Sequence, residues 1–268
     1  SGHAPSKDPR GPITIYGVDG LDGHLVRTLP PRFPGPLIPQ LPTADTTGYL
    51  RLDACTNFGG VFPVPMADAQ AALPAGFTPV ASPNDPGGGA TLYILALDCG
   101  GSFVDGNNTG PVKVSYAEIA VVPPDEVRLP GIEDYTVPLA IGANVRAVAE
   151  RLTEYMLGHA GSSTVTDTTT AGPGPQRSRM VVDGITLDLT GQFAGDTATL
   201  PDGGFALIGV QDGVVKTVVQ GFSEGGSAVQ GTVTQQSSGL PVFQQARPLA
   251  VGFSVSGFSL SFALVKTV

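Results

Sequence analysis

The sequence predicts an α+β fold, mostly antiparallel β, and three observations carry that expectation. Its 268 residues include 37 glycines and 25 prolines, a composition rich in turns and poor in helix formers. Valine, threonine and phenylalanine alternate with polar residues through much of the second half, which is the period of a half-buried strand. Only one stretch, about residues 141–157, repeats apolar residues every three or four positions over several turns. These features argue against an all-α fold.

In chain order, the opening SGHAPSKDPRG is polar and patternless and reads as a mature N-terminus with little order expected. Residues 12–48 begin with a candidate strand, Ile13 to Val18. They continue as a proline-rich segment, whose fixed φ angles and missing N–H groups suit extended edge structure over the main body. We therefore divide the chain into an extended segment, 1–48, and a single β-rich domain, 49–268. From Tyr49, YLRLDACTNFGGVFPVP alternates apolar and polar residues, and MADAQAALPAGF offers a short helix at about 66–73, stopped by Pro74 and Gly76.

After the loop SPNDPGGG, two runs, TLYILALDC and VKVSYAEIAVV, read as strands joined by DGNNTGP. In that connection Asp105, Asn107, Thr109 and Gly110 stand at the first, third, fifth and sixth places of an EF-hand loop. The twelfth is Tyr116 rather than Glu, so the segment reads as a polar turn. In the main helix, Ile141, Val145, Val148, Leu152 and Tyr155 form an apolar stripe, with Arg146, Glu150 and Arg151 expected in solvent and Gly158 ending it. Residues 162–176 read as a loop. The remaining strands carry hairpin signals at Asp183-Gly184 and Asp212-Gly213.

Charge and composition narrow the partners. A net charge of −9 with scattered arginines argues against nucleic acid, which requires clustered cations. No apolar run approaches the roughly 20 residues of a membrane helix. Few lysines among many Ser, Thr, Gly and Asp suggest a secreted, extracellular protein. Cys55 and Cys99 close the β-type runs YLRLDAC and TLYILALDC, which would pair as neighbours, so a disulfide is preferred over two buried thiols. Two lone cysteines without CxxC spacing do not suggest a metal site, and no cofactor is expected.

The run VFPVPMADAQAALPAGFTPV, then LYILALDC, SYAEIAVVPP and VRAVAERL resemble, in order and spacing, the acetoacetate decarboxylase-like family over about residues 49–160. The resemblance implies a β-rich cone or barrel around a largely apolar pocket. The family's decarboxylases use a lysine that forms a Schiff base, its amine made nucleophilic by a neighbouring lysine and desolvation. Where that pair would stand, this chain reads Tyr155-Met156-Leu157-Gly158-His159. The family's strand glutamate is matched by Glu118, whereas a second carboxylate falls near Tyr93 and is absent. The resemblance thus implies a pocket with Glu118 in it, and we add Tyr93 and Tyr116 as ligand-binding candidates beside Glu118. We take Glu118 and His159 as acid or base candidates, while alternation gives Glu118 an equally simple outward-facing position. Lys113, five residues from Glu118, points to the other face of a regular strand. Lys216, in the apolar run VVKTVVQ, is the better substitute nucleophile, although an outward lysine is the simpler reading.

Gly221-Phe222-Ser223-Glu224-Gly225 matches the hydrolase elbow G-x-S-x-G, but a strand pattern follows where a helix is required, and every histidine precedes the serine. Three function classes follow. The first is a secreted protein whose pocket binds a small apolar or keto-type molecule without imine chemistry. The second is a lyase, aldolase or isomerase using the same pocket, and the third an extracellular structural or self-assembling protein. A small-molecule ligand is the expected partner, and a homo-oligomer is compatible with all three.

Overall fold

The computed structural model describes residues 14–16, 25–28, 48–82, 85–170 and 173–267. Most of the proline-rich segment, the polar opening, His3, His24 and Lys7 lie outside them. Within the expected strand Ile13 to Val18, Thr14–Tyr16 pairs antiparallel with Leu25–Thr28.

The domain is built from β1 (Tyr49–Val64), α1 (Met66–Ala71), β2 (Ala90–Val104), β3 (Val112–Val122), β4 (Tyr135–Ala143) and α2 (Arg146–Glu154). Next come β5 (His159–Ser162), β6 (Thr164–Thr169), β7 (Gly174–Val182), β8 (Ile185–Phe193) and β9 (Gly203–Gln211). The chain closes with β10 (Val214–Gln235), α3 (Pro241–Gln245) and β11 (Leu249–Thr267). Strands β1, β2, β3, β4, β9, β10 and β11 pair in that order, and β11 pairs again with β1, so the sheet closes into a ring. Neighbours run antiparallel except β4 and β9, which are parallel. The length of β10 lets it serve three partners besides β11: its first part pairs with β9, its middle with the short strand Ala198–Thr199, and its last part with β8, which carries β7 and β6 outward from the ring.

Ring strands packed on both faces explain why TLYILAL reads as an apolar run rather than an alternation. On β2, Leu95 and Leu97 belong to the cluster inside the ring. Leu92, Ile94 and Ala96 belong to a second cluster outside it, closed by β7, β8, α1 and α3. Tight turns follow the expected chemistry: Asp183-Gly184 and Asp212-Gly213 adopt left-handed φ angles of 48° and 74°, and 53° and 73°. Asp105-Gly106 does the same between β2 and the short return at Asn107–Asn108, so this polar segment is itself a hairpin turn.

Three expectations are corrected. The helix expected at about 141–157 spans only Arg146–Glu154, because residues 135–143 are committed to β4, with Ile141 paired to Tyr116. Ile141, Val148 and Leu152 are buried nonetheless. Arg151, expected in solvent, is buried: Nη2 donates to Asp105 Oδ2 at 2.7 Å, and Nη1 donates to Asp105 Oδ1 and to the Tyr49 carbonyl, each at 3.1 Å. Finally, residues 162–176 are not simply a loop. Thr164–Thr169 forms an outer strand against β7, in keeping with its threonine-rich sequence.

Candidate ligand cavity

The interior of the ring is apolar but not filled, and a cavity of about 110 Å³ remains. The wall nearest the strand motif is simple. On β3, alternate residues Val114, Tyr116 and Glu118 face inward, as a regular strand requires. Three other strands change phase. On β4 the lining shifts from Thr136 and Pro138 to Ile141, across the register slip opposite Ala117 and Glu118. On β11 it shifts from Phe253 and Val255 to Phe258, Leu260 and Phe262, with Gly257 at φ 70° between them. On β1 it shifts from Leu50 and Leu52 to Asn57, with Ala54 at φ 50° between them. Helix α2 lays Val148 and Leu152 against the same space.

The polar groups are few. Glu118 is 3% exposed, and the Thr136 hydroxyl donates to its Oε2 at 2.8 Å. Asp134, just before β4, and Ser223, opposite Gly203 on the β9–β10 pair, also line the cavity. Ser223 therefore sits within a strand, not at the strand-to-helix turn that a nucleophile elbow requires. Asn57 is 8% exposed and its Oδ1 is buried without a hydrogen-bond partner in the protein.

The site candidates from the sequence are only partly brought together. Glu118 and Tyr116 line the cavity. Tyr93 stands opposite Glu118 in the β2–β3 register and is buried in the inner cluster, although it does not border the open space. The structure does not bring His159 to the cavity. His159 begins β5 on the outer surface, where its half-exposed ring places Nδ1 2.9 Å from Asp183 Oδ2. Asn57 was missed by the sequence reading, and its one signal is an amide within the otherwise apolar run FGGVF and its approach.

No lysine, arginine or histidine among the described residues lines the cavity. Lys113 pairs with Asp98 at 2.8 Å, and Lys216 is half-buried on β10 away from the lining. Within 155–159, the segment implied for the imine-forming pair, Leu157 is fully buried. Gly158 has φ 66°, and a Cβ there would stand 2.6 Å from the carbonyl oxygens of both Pro138 and Leu139. The backbone thus leaves no room for a side chain at 158. Among the described residues no cluster of three or more His, Cys, Asp or Glu could hold a metal ion.

Around the cavity the scaffold is braced at two points. Cys55 and Cys99 face each other across β1 and β2 and form a disulfide. Beneath α2, the Arg151 guanidinium holds the Asp105 carboxyl below its usual range, helped by the Tyr49 N–H. In return Asp105 raises the Arg151 pKa further. Burial pushes the Tyr155 hydroxyl up, and that hydroxyl donates to the Gly48 carbonyl at 2.7 Å.

No family model matches the chain, and no curated protein does. Solved structures nevertheless share its architecture. An acetoacetate decarboxylase from Legionella pneumophila superposes with a TM-score of 0.57 at 11% identity, over 88% of this chain and 93% of that one. The enduracididine biosynthesis enzyme MppR, complexed with pyruvate, gives 0.53 at 13% identity, over 81% and 87%. An acetoacetate decarboxylase-like enzyme from Sphingomonas wittichii gives 0.52 at 13% identity, over 88% and 100%. The chain therefore has the acetoacetate decarboxylase-like fold.

Proposed function

We propose that this protein is an exported binding protein that holds a small apolar or keto-type molecule inside the ring, without forming an imine to it. The carrying observation is the lining itself: an apolar space inside the ring with carboxyl, hydroxyl and amide groups, and no amine among the described residues that line it. Imine formation needs an unprotonated lysine beside the carbonyl, and the segment where the resemblance would place it, 155–159, holds no lysine and includes a glycine too crowded for a Cβ. Glu118 and Tyr116 face the bound molecule in this reading, with Tyr93 beside Glu118 on β2. The Cys55–Cys99 disulfide supports an oxidising compartment, and no helix among the described residues is long and apolar enough to cross a membrane.

Two measurements test the proposal together. Toluene should raise the melting temperature in a concentration-dependent way, as any ligand specific to the folded state does. Acetoacetate with borohydride should leave every lysine unmodified by peptide mapping. A stoichiometric adduct on one lysine would replace this reading with a decarboxylase-type one. A second reading, a lyase, aldolase or isomerase in the same cavity, is favoured by Glu118, since a buried carboxylate among apolar groups is suited to taking a proton from a ketone. It requires deuterium from heavy water to enter cyclohexanone faster with protein present, and slower again with Glu118→Gln.

A further inference from the structure

We infer that the cavity takes a small neutral molecule with an apolar body and a single hydroxyl, and that Asn57 selects the hydroxyl. The inference rests on the cavity being a ligand site, as proposed above, and narrows the ligand from apolar or keto-type to one that donates a hydrogen bond.

Size sets the first bound. A dry apolar cavity of about 150 Å³ accommodates benzene, so about 110 Å³ suits a body no larger than a six-membered ring. The walls suit such a body. Phe205 and Phe262, both in the lining, meet edge to face with centroids 5.8 Å apart at 78°, and Leu97 and Phe253 complete an apolar surround.

Charge sets the second bound. The ionisable side chains of acid type in the lining are Glu118 and Asp134, and no cationic side chain among the described residues joins them. A ligand carboxylate would lose its hydration and face these groups without a counter-ion, so keto acids are disfavoured. An ammonium group would lose more hydration than a hydroxyl on entering the same apolar space, which favours a neutral donor.

Hydrogen-bond bookkeeping sets the third. Thr136 already donates its hydroxyl to Glu118. Asn57 Oδ1 is buried without any donor, on a residue 8% exposed that lines the cavity from β1, opposite Val255. A buried acceptor without a donor is costly, and once the amide turns its oxygen to the cavity that cost is removed by a ligand O–H, whereas a ketone brings the oxygen only a further acceptor.

Cyclohexanol and cyclohexanone are nearly isosteric and separate these cases by calorimetric titration, with cyclohexane reporting the apolar body alone. The wild type should bind cyclohexanol about five- to tenfold more tightly than cyclohexanone. Asn57→Leu should erase that preference while keeping or improving cyclohexane binding. Equal affinities for the alcohol and the ketone in the wild type would overturn the inference and leave Asn57 serving water. A preference that survives in Asn57→Leu would overturn the role of Asn57, and tighter binding of cyclohexylammonium than of cyclohexanol would overturn the neutral assignment. If cyclohexane and cyclohexanol both fail to bind, the ligand-site reading itself falls. Because the wild-type ratio needs no variant, an unfolded Asn57→Leu protein still leaves the inference refutable.

Discussion

Consecutive residues on β1 face opposite sides of the ring and meet different fates. Phe58 points outward into a filled core, fully buried and edge to face with Phe193 at 6.0 Å. Asn57 lines the inner cavity, and its buried Oδ1 has no hydrogen-bond partner in the protein. Both faces of the ring are predominantly apolar, so apolar character alone does not mark the site. The inner face differs in what the packing leaves undone: a void, and polar groups that an inert core would replace with hydrocarbon. Stability should therefore be concentrated in the outer face, and ligand selectivity in the inner one.

The largest effect expected is Phe58→Ala. Truncating a fully buried phenylalanine loses its transfer energy and leaves a cavity, about 4 kcal/mol together. Urea denaturation should show that loss, while cyclohexanol affinity in the folded fraction stays near the wild-type value. A loss under about 1 kcal/mol would mean that the outer core is loosely packed and that the contrast between the faces is false.

Next in size is Arg151→Met. Here a buried charge is paired within the protein, although its Nε, like Asn57 Oδ1, has no hydrogen-bond partner, and removing the guanidinium takes one donor from the Tyr49 carbonyl and leaves Asp105 with only the Tyr49 N–H. Breaking a buried pair from one side costs about 3 kcal/mol. The pH dependence has a definite sign. Asp105 is held below its ordinary 3.8, first by Arg151 and then by the Tyr49 N–H. A carboxyl with a lowered folded pKa adds stability above its unfolded value, and that stability is lost as pH falls through the folded value. Stability measured from pH 5 down to pH 2 should fall less steeply in Asp105→Asn than in the wild type. Equal slopes would show that the pair does not couple protonation to folding.

What the sequence shows and hides follows the same division. Turn chemistry and strand-end spacing are local, so the Asp-Gly turns and the pairing of Cys55 with Cys99 were legible, whereas alternation on β3 left Glu118 equally free to face inward or outward. The cavity lining on β1, β4 and β11 was not legible, because a phase change near Ala54, Leu139 and Gly257 reverses which residues point inward. No periodic pattern can be followed across such a slip. Ile141 illustrates the ambiguity: its spacing to Val145 and Val148 fits a helical stripe, yet strand pairing with Tyr116 claims it. Arg151 was hidden for a different reason, since its partner Asp105 lies 46 residues away at a hairpin turn.

A smaller stability effect, about 1 kcal/mol, is expected for Glu118→Gln, because the amide oxygen can still accept from Thr136. If Glu118 faces the ligand, cyclohexanol affinity should change severalfold in the same variant. A large loss of stability with unchanged affinity would move Glu118 to the structural side of the comparison.

The smallest effect belongs to His159→Ala, which tests whether the cavity has been bounded correctly. His159 follows the end of α2 in sequence, within the segment implied for the imine-forming pair, and that resemblance made it an acid or base candidate. Its side chain is half exposed, its Nδ1 meets Asp183 on the surface, and it does not line the cavity. An exposed pair of this kind contributes about 0–1 kcal/mol, because water screens it and two mobile side chains must be held in place. His159→Ala should therefore leave both the urea midpoint and the cyclohexanol affinity close to wild type, and should respond to salt as little as the wild type does. A severalfold loss of affinity at unchanged stability would place the ligand on the outer side of β4, along β5, rather than inside the ring. The roles assigned to Asn57 and Glu118 would then fail together, since both depend on the inner face being the one that receives the ligand.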